Sequence, residues 1–308
     1  MFDTRYHLAM ARLRFRQLQL ISVLGRTHNL NAAARQLVMT QPAATKMLQE
    51  VEDIIGSNLF ERLPRGMRPT EAGNLAVEYS HRAIDEAIRF LDDARVLREG
   101  GQGVLQVGSI MSAARSVVPT AIAAMKAARP MLTIRLMTGT SDQLVVALLQ
   151  HRINLVIGQR SETTSYATNF HPLASEALTV FVSPDNPLAF AGGDIERMLD
   201  TPWVLQPITS PLRLAMERYF DGIGRHPGNI VETTSVYATI ELVRQNGMVS
   251  VLANDIVAPE VGSGRIVGLP LEIHSERIQY GIITRADEEV DAITAQFSTI
   301  LKNLPLTP

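Results

Sequence analysis

Between Phe15 and Gly73 the chain reads FRQLQLISVLGRTHNLNAAARQLVMTQPAATKMLQEVEDIIGSNLFERLPRGMRPTEAG. No other stretch constrains the fold as tightly. Apolar residues recur at helical spacing from Phe15 to about Thr27, with Phe15, Leu18 and Ile21 expected to face inward. Asn29 or Asn31 can cap a second helix that carries Ala33, Ala34 and Leu37. Alanines on that face let helices cross closely, as a compact three-helix unit requires. Thr40 is a natural cap for a third helix, and Pro42 falls in its first turn, where a missing N–H costs nothing. Ala44, Leu48, Val51 and Ile55 share one side of that helix and are expected to be buried. Pro42, Lys46, Gln49 and Asp53 point the opposite way. At its N-terminal end the outward face is small, polar and singly basic, which suits a helix laid in a major groove. A purely structural helix would more often carry several charges there.

The chain then changes character. Arg62, Arg65 and Arg68 surround Pro64 and Gly66, and Pro69 follows. This pattern predicts a short β-ribbon that presents arginines to phosphate or to a minor groove; an ordinary basic surface turn is the alternative. Three arginines beside such a helix favour the ribbon. Helices and ribbon together predict a winged helix-turn-helix over residues 1–70. The charge agrees. Residues 1–70 hold ten Lys+Arg and five Asp+Glu, a balance of +5, and the rest of the chain holds 19 and 26, a balance of −7. A basic head on an acidic body suits a head that meets phosphate and a body that does not. Chance fluctuation could produce the same split, so the motif carries more of the argument than the charge.

Thr70 and Glu71 open a long predicted helix that runs to about Arg98. Ala76, Ala83, Phe90 and Leu97 repeat every seven residues, with Ser80, Ala87 and Ala94 as the companion row. This is a coiled-coil-like seam, and it predicts dimerisation over residues 71–102. A helix packed only on its own domain is the other reading. Gly100, Gly101 and Gly103 mark a hinge.

From Val104 strands and helices alternate. VLQVGSI, TIRLMTG and NLVIGQR read as strands, with helices near 115–128 and 141–151. Such alternation predicts a parallel α/β sheet. Phe170 to Pro184 looks like two strands broken at a crossover. WVLQP, a helix near Pro211–Phe220, IVETTS, a helix near 236–246 and MVSVLAN form a second unit. IQYGIITR is a further strand, and 288–304 a terminal amphipathic helix. The expected fold class is α+β and multidomain. Its C-terminal domain spans 103–308, with lobe one at about 103–174 and 276–308 and lobe two at about 175–275.

Several functions are disfavoured. The chain has no cysteine, which excludes disulfides, thiolate nucleophiles and thiol redox sensing. No apolar run approaches a membrane span, and the N-terminus lacks the apolar core of a signal peptide, so a cytoplasmic location without membrane contact is expected. His7, His28, His81, His151, His171, His226 and His274 show no metal-ligand spacing and are expected at the surface or at caps. No G-x-S-x-G, Walker A or complete G-x-G-x-x-G is present. The adjacent pairs Asp92–Asp93 and Glu288–Glu289 diverge on a helix and read as solvated faces rather than acid/base pairs. A catalytic role, a metal and a cofactor are therefore not expected.

Taken together, Asn31–Ala34 with Leu37, then TQPAATKMLQEVED, IGSNLFER and the RG-x-R-P-T-x-A-G of Arg65–Gly73, resemble a LysR-type transcriptional regulator. The helical linker and two-lobed C-terminal half follow in the order of that family. A polar extension, residues 1–13, departs from it. The resemblance implies a homodimer or dimer of dimers on a palindromic site in double-stranded DNA, with RNA polymerase as a further partner. It also implies a small-molecule co-inducer in a cleft between the lobes: an organic acid, an aromatic or a sugar-derived compound. By the resemblance, Thr40, Gln41, Pro42, Ala43 and Lys46 fall where the family touches DNA. Thr45 and Gln49 join them on the same helix, and Arg35, Arg62, Arg65 and Arg68 are placed for phosphate or minor-groove contacts. Gln can contact adenine bidentately and Lys can donate to guanine.

For the effector, hydroxyl-bearing turns follow predicted strands: Ser109 and Ser112, Thr140 and Ser141, Thr209 and Ser210, Thr234 and Ser235. Gln206 precedes the third of these. The expected effector residues are Ser109, Ser112, Thr140, Ser141, Gln206, Thr209 and Ser235. Ser112 and Thr140 lead in lobe one, Thr209 and Ser235 in lobe two. Convergent N–H and O–H donors favour a carboxylate, a sulfonate or a polyhydroxyl ligand. Plain helix capping is the competing explanation of each turn. A small-molecule-binding protein without a transcriptional role is the alternative function, and it would not need the N-terminal motif.

Overall fold

The computed structural model describes residues 11–160, 167–190, 195–271, 273 and 278–305. Most of the extension whose role the sequence left open, residues 1–10, lies outside them, as does His274. The chain divides into two compact units, Met1–Arg95 and Val96–Pro308.

In the first unit α1 (Phe15–Thr27), α2 (Leu30–Gln36) and α3 (Gln41–Ile55) precede β1 (Phe60–Arg62), β2 (Met67–Pro69) and the long α4 (Glu71–Arg98). The side chain of Asn29, not Asn31, caps α2 by accepting from Ala32 N at 3.0 Å. At the start of α1, Gln17 accepts from Arg14 N at 2.8 Å and donates to Glu50 at 3.1 Å, tying α1 to α3. The core joins Leu20, Ile21 and Leu24 to Ala33 and Ala34, and to Ala44, Leu48 and Val51. Leu59, Phe60 and Met67 close it from the ribbon. Two expected core residues lie elsewhere: Phe15 is 47% and Ile55 46% exposed. Each is the terminal residue of its helix, and the end turns overhang the core. On α4, Ala76 packs against this core and Ser80 is buried, whereas Phe90 and Leu97 of the same seam are exposed.

The turn between α2 and α3 carries an unusual backbone. Val38 has φ +51° and is 90% exposed. A β-branched residue in the left-handed region is strained, and here no packing repays the cost. Val38→Asn is expected to raise the stability of this unit by about 0.5–1 kcal/mol, read in urea unfolding. A loss of stability would mean that the valine makes contacts its exposure does not show.

The second unit is built on two five-stranded sheets. The first contains β3 (Val104–Ser109), β4 (Thr133–Thr138), β5 (Leu155–Gln159), β6 (Thr168–Glu176) and β12 (Ile278–Arg285), in the order β4-β3-β5-β12-β6. Around it lie α5 (Met111–Arg115), α6 (Val117–Ala128), α7 (Ser141–Leu149) and α12 (Ala292–Lys302). The second contains β7 (Leu178–Val182), β8 (Trp203–Leu205), β9 (Ile230–Glu232), β10 (Val249–Ala253) and β11 (Val267–Gly268), in the order β11-β7-β10-β8-β9. With it go α8 (Ile195–Leu199), α9 (Pro211–Ile223), α10 (Val236–Asn246) and α11 (Asn254–Gly262). Alternation along the second sheet separates two apolar layers: Val180, Trp203, Leu205 and Val251 on one face, Phe181, Val204 and Leu252 on the other.

The sheets are mixed, which corrects the expectation of a parallel sheet. β3 runs parallel to β4 and β5, but β12 runs antiparallel to β5 and β6. In the second sheet β7 runs antiparallel to β10 and β11. The reason is topological. β6 leaves the first lobe and β12 returns to it, so outgoing and incoming strands lie side by side in opposite directions. Ser175 and Glu176, read as the start of lobe two, are the last residues of β6 and pair with Gln279 and Ile278. The crossing is Ala177. Among the described residues no helix is long and apolar enough to cross a membrane.

Candidate nucleic-acid interface and ligand cleft

Thr40 caps α3, its hydroxyl accepting from Ala43 N at 3.4 Å. Gln41, Pro42, Ala43, Lys46 and Gln49 are all exposed, so the N-terminal half of α3 offers a continuous face with one positive charge. Thr45 differs. It is half-buried, and its hydroxyl donates to Gln41 O at 3.0 Å, so it serves the helix first. The Gln41 side chain reaches back to Thr45 Oγ1 at 3.4 Å. Arg35 is exposed on α2.

β1 and β2 pair antiparallel with Glu61 opposite Arg68 and Arg62 opposite Met67. Pro64 and Arg65 form the tip, closed by Leu63 N donating to Gly66 O at 3.0 Å. Gly66 has φ +93°, and a Cβ there would stand 2.7 Å from His28 O. Met67 N donates to that same carbonyl at 2.8 Å, so the ribbon is fixed to the α1–α2 turn. At the other end Glu52 accepts from Leu59 N at 2.8 Å, fixing the ribbon to α3. Arg62, Arg65 and Arg68 all remain exposed on a ribbon held at both ends.

In the second unit a cleft of about 330 Å³ opens between the two lobes. Ser112, Thr140 and Ser141 line it from lobe one, Gln206 and Ser235 from lobe two. Ser141 Oγ accepts from Gln159 N at 2.9 Å, and Ser235 caps α10 through Ala238 N at 3.2 Å. Two of the expected residues are not in the lining. Ser109 is fully buried and donates to Ile110 O at 2.9 Å, one residue before the chain turns into the cleft. Thr209 donates to Asp142 Oδ2 at 2.8 Å, bonding the lobes directly to each other.

The residue that sequence reasoning missed is Glu176. It lines the cleft although it is buried, and it accepts from the Ser112 hydroxyl and, at 2.8 Å, from Gln159 Nε2. Burial pushes its carboxyl upward from the ordinary value; the bonds from Ser112 and Gln159 pull the other way, and nearby Asp255 adds to the rise. Gln143, Gln159 and Tyr237 were missed with it. No motif marks these positions, because they converge only when β5, β6, α7 and α10 assemble. Among the described residues no group of His, Asp and Glu is arranged to hold a metal ion.

Two family models match the chain. "Bacterial regulatory helix-turn-helix protein, lysR family" covers residues 15–74, and "LysR substrate binding domain" covers residues 98–304. The chain belongs to the LysR family. Among its relatives are the HTH-type transcriptional regulator GbpR of Azospirillum brasilense and the RuBisCO operon transcriptional regulator of Allochromatium vinosum. The first is 28% identical over 90% of this chain and 82% of GbpR. The second is 26% identical over 92% of this chain and 93% of that one. Among solved structures, full-length CbnR complexed with its target DNA has a TM-score of 0.68 at 22% identity, over 94% of this chain and 99% of that one. The effector-binding domain of QuiR in complex with shikimate has a TM-score of 0.58 at 18% identity, over 65% of this chain and 95% of that one. At such identities the structures share the fold. This member of the LysR family is thus a DNA-binding transcriptional regulator with an effector-binding domain.

Proposed function

We propose that α3 reads base edges in the major groove through Gln41 and Lys46, with Thr40, Pro42, Ala43 and Gln49 at the same surface. Arg35, Arg62, Arg65 and Arg68 hold the flanking phosphates. The observation that carries this assignment is one exposed, singly basic helix face beside a basic ribbon anchored at both ends. The chain acts as a homodimer or homotetramer, with the exposed Phe90 and Leu97 of α4 in the contact. The cleft takes a small-molecule co-inducer through Ser112, Thr140, Ser141, Gln206 and Ser235, and binds it without turnover. Co-inducer binding favours one assembly state over another and so changes the bend of the bound DNA and the access of RNA polymerase. The site of action is the cytoplasm.

Base readout and phosphate binding separate by mutation. Using a duplex selected by the protein from a random pool, Lys46→Ala is expected to weaken the selected site about tenfold and random DNA far less. Arg65→Ala is expected to weaken both alike and to reduce the salt dependence of binding by about one ion. Equal losses on both duplexes for both variants would overturn this division of labour.

A further inference from the structure

We infer that the cleft takes a neutral polyhydroxylated ligand, a sugar or sugar-like polyol, in preference to an organic acid, with Glu176 accepting from its hydroxyls. The inference rests on the proposal that the cleft holds the co-inducer, and narrows it to one chemical class.

The charge of the lining decides first. Glu176 is the charged side chain among the cleft residues; the described lining contains no Lys, Arg or His. Arg213 comes close, since its Nη1 donates to the carbonyl of the cleft residue Gln206 at 3.0 Å. Its guanidinium is already engaged by Glu217 and Glu232 on its own lobe. A carboxylate ligand would bring a second acid beside one whose ionised form burial already penalises, with no cation to offset either.

The remaining polar groups match hydroxyls. Ser112, Thr140, Ser141, Thr234 and Ser235 each donate and accept, as a ligand hydroxyl does. Gln143, Gln159 and Gln206 add amides that also do both. A carboxylate offers about four acceptor positions, and Ser112 and Gln159 occupy two on Glu176. Those left over suit donors, and hydroxyls supply donors without adding charge. The lining also carries apolar surface. Tyr237, 78% exposed on the first turn of α10, and Met111 offer faces on which the C–H side of a sugar ring can rest. The cleft volume stands at the small end of ligand sites, which suits a monosaccharide.

The test isolates charge on a constant skeleton. The full chain is titrated calorimetrically with neutral aldohexoses and aldopentoses, with the uronic and aldonic acids of the same sugars, and with their 2-amino derivatives. Expected is binding of at least one neutral sugar, with its acid at least tenfold weaker. Glu176→Gln is then expected to cost that sugar about tenfold and to narrow its margin over the acid, while thermal unfolding of the unliganded variant confirms that it folds. Tyr237→Ala, at an exposed position that cannot disturb the core, is expected to weaken the same sugar. Tighter binding of an acid, tightest binding of an amino sugar, or no neutral sugar bound each overturns the inference. A ligand of any charge whose affinity is unmoved by Tyr237→Ala and by Ser235→Trp instead places the binding site outside the cleft, so failure of the site and failure of the chemistry are told apart.

Discussion

Gly73→Ala is expected to cost the N-terminal unit about 3 kcal/mol or more and to abolish measurable DNA binding. Propensity alone argues the reverse, since alanine is favoured over glycine within a helix by about 1 kcal/mol. Sterics decides. A Cβ at position 73 would stand 1.9 Å from Leu59 O and 3.2 Å from the Pro69 side chain. Leu59 has little room to retreat. Its N–H is held by Glu52 at 2.8 Å, its carbonyl accepts from Thr70 N at 2.9 Å, and its side chain is fully buried. Thr70 in turn donates to Asn58 O at 2.8 Å and accepts from Gly73 N at 3.0 Å. The first turn of α4, the ribbon and the end of α3 thus meet at a point with space for a hydrogen and no more. Relief would require moving the ribbon that carries Arg62, Arg65 and Arg68. Urea unfolding and DNA titration of the full chain measure both effects. Gly222→Ala in α9 is the control: nothing lies within 4 Å of its added Cβ, so stability is expected to rise by a few tenths of a kcal/mol. If the two variants behave alike, close packing at Gly73 is not what holds the ribbon.

The contrast between two helical glycines shows where sequence reading stops. Both look like mild helix defects in the chain, and only the partner carbonyl of Leu59 separates them. Local signals were legible. Thr40 and Asn29 cap, Gly66 turns the ribbon, Ala33, Ala34 and Ala44 permit close crossing, and the helix spans follow the apolar period. Winged helix-turn-helix, linker helix and two-lobed domain could therefore be read in order. Strand direction could not. Period-two alternation is the same for a parallel and an antiparallel strand, and only the path of the chain between the lobes, through β7 in one sheet and β12 in the other, sets the mixture. The cleft was half legible for a related reason. Ser112, Thr140, Ser141, Gln206 and Ser235 sit just beyond strand ends, where a turn pattern reveals them. Ser109 looks the same in sequence, but it is the last residue of β3 and faces the core. Glu176 is an acid at the end of a strand, and the sequence gives no sign that it is buried against Ser112 and Gln159.

Arg213→Met is the other substitution expected to act strongly, at about 2–4 kcal/mol against the stability of the second unit. Arg213 is buried at the start of α9, where the helix dipole disfavours a cation. It is tolerated because Glu217 and Glu232 engage the guanidinium, with Glu232 at 3.1 Å, and because Nη1 also donates to Gln206 O. Among the described residues, removing the cation leaves the partly buried Glu217 with His226, at 2.9 Å, as its remaining partner. Most of the loss should come from that stranded carboxylate rather than from packing, since methionine refills the stem. Arg213→Met with Glu217→Gln is therefore expected to recover more than 1 kcal/mol of the deficit, read in denaturant unfolding of the second unit's transition. A double variant no more stable than the single one would locate the cost in packing. The same substitution should reach the cleft, because the Gln206 carbonyl loses the donor that fixes its strand end. Affinity for the cleft ligand should fall in Arg213→Met and stay low in the double variant even as stability recovers. Stability and binding would then separate at one residue: the charge balance governs the first, and the hydrogen bond to Gln206 governs the second.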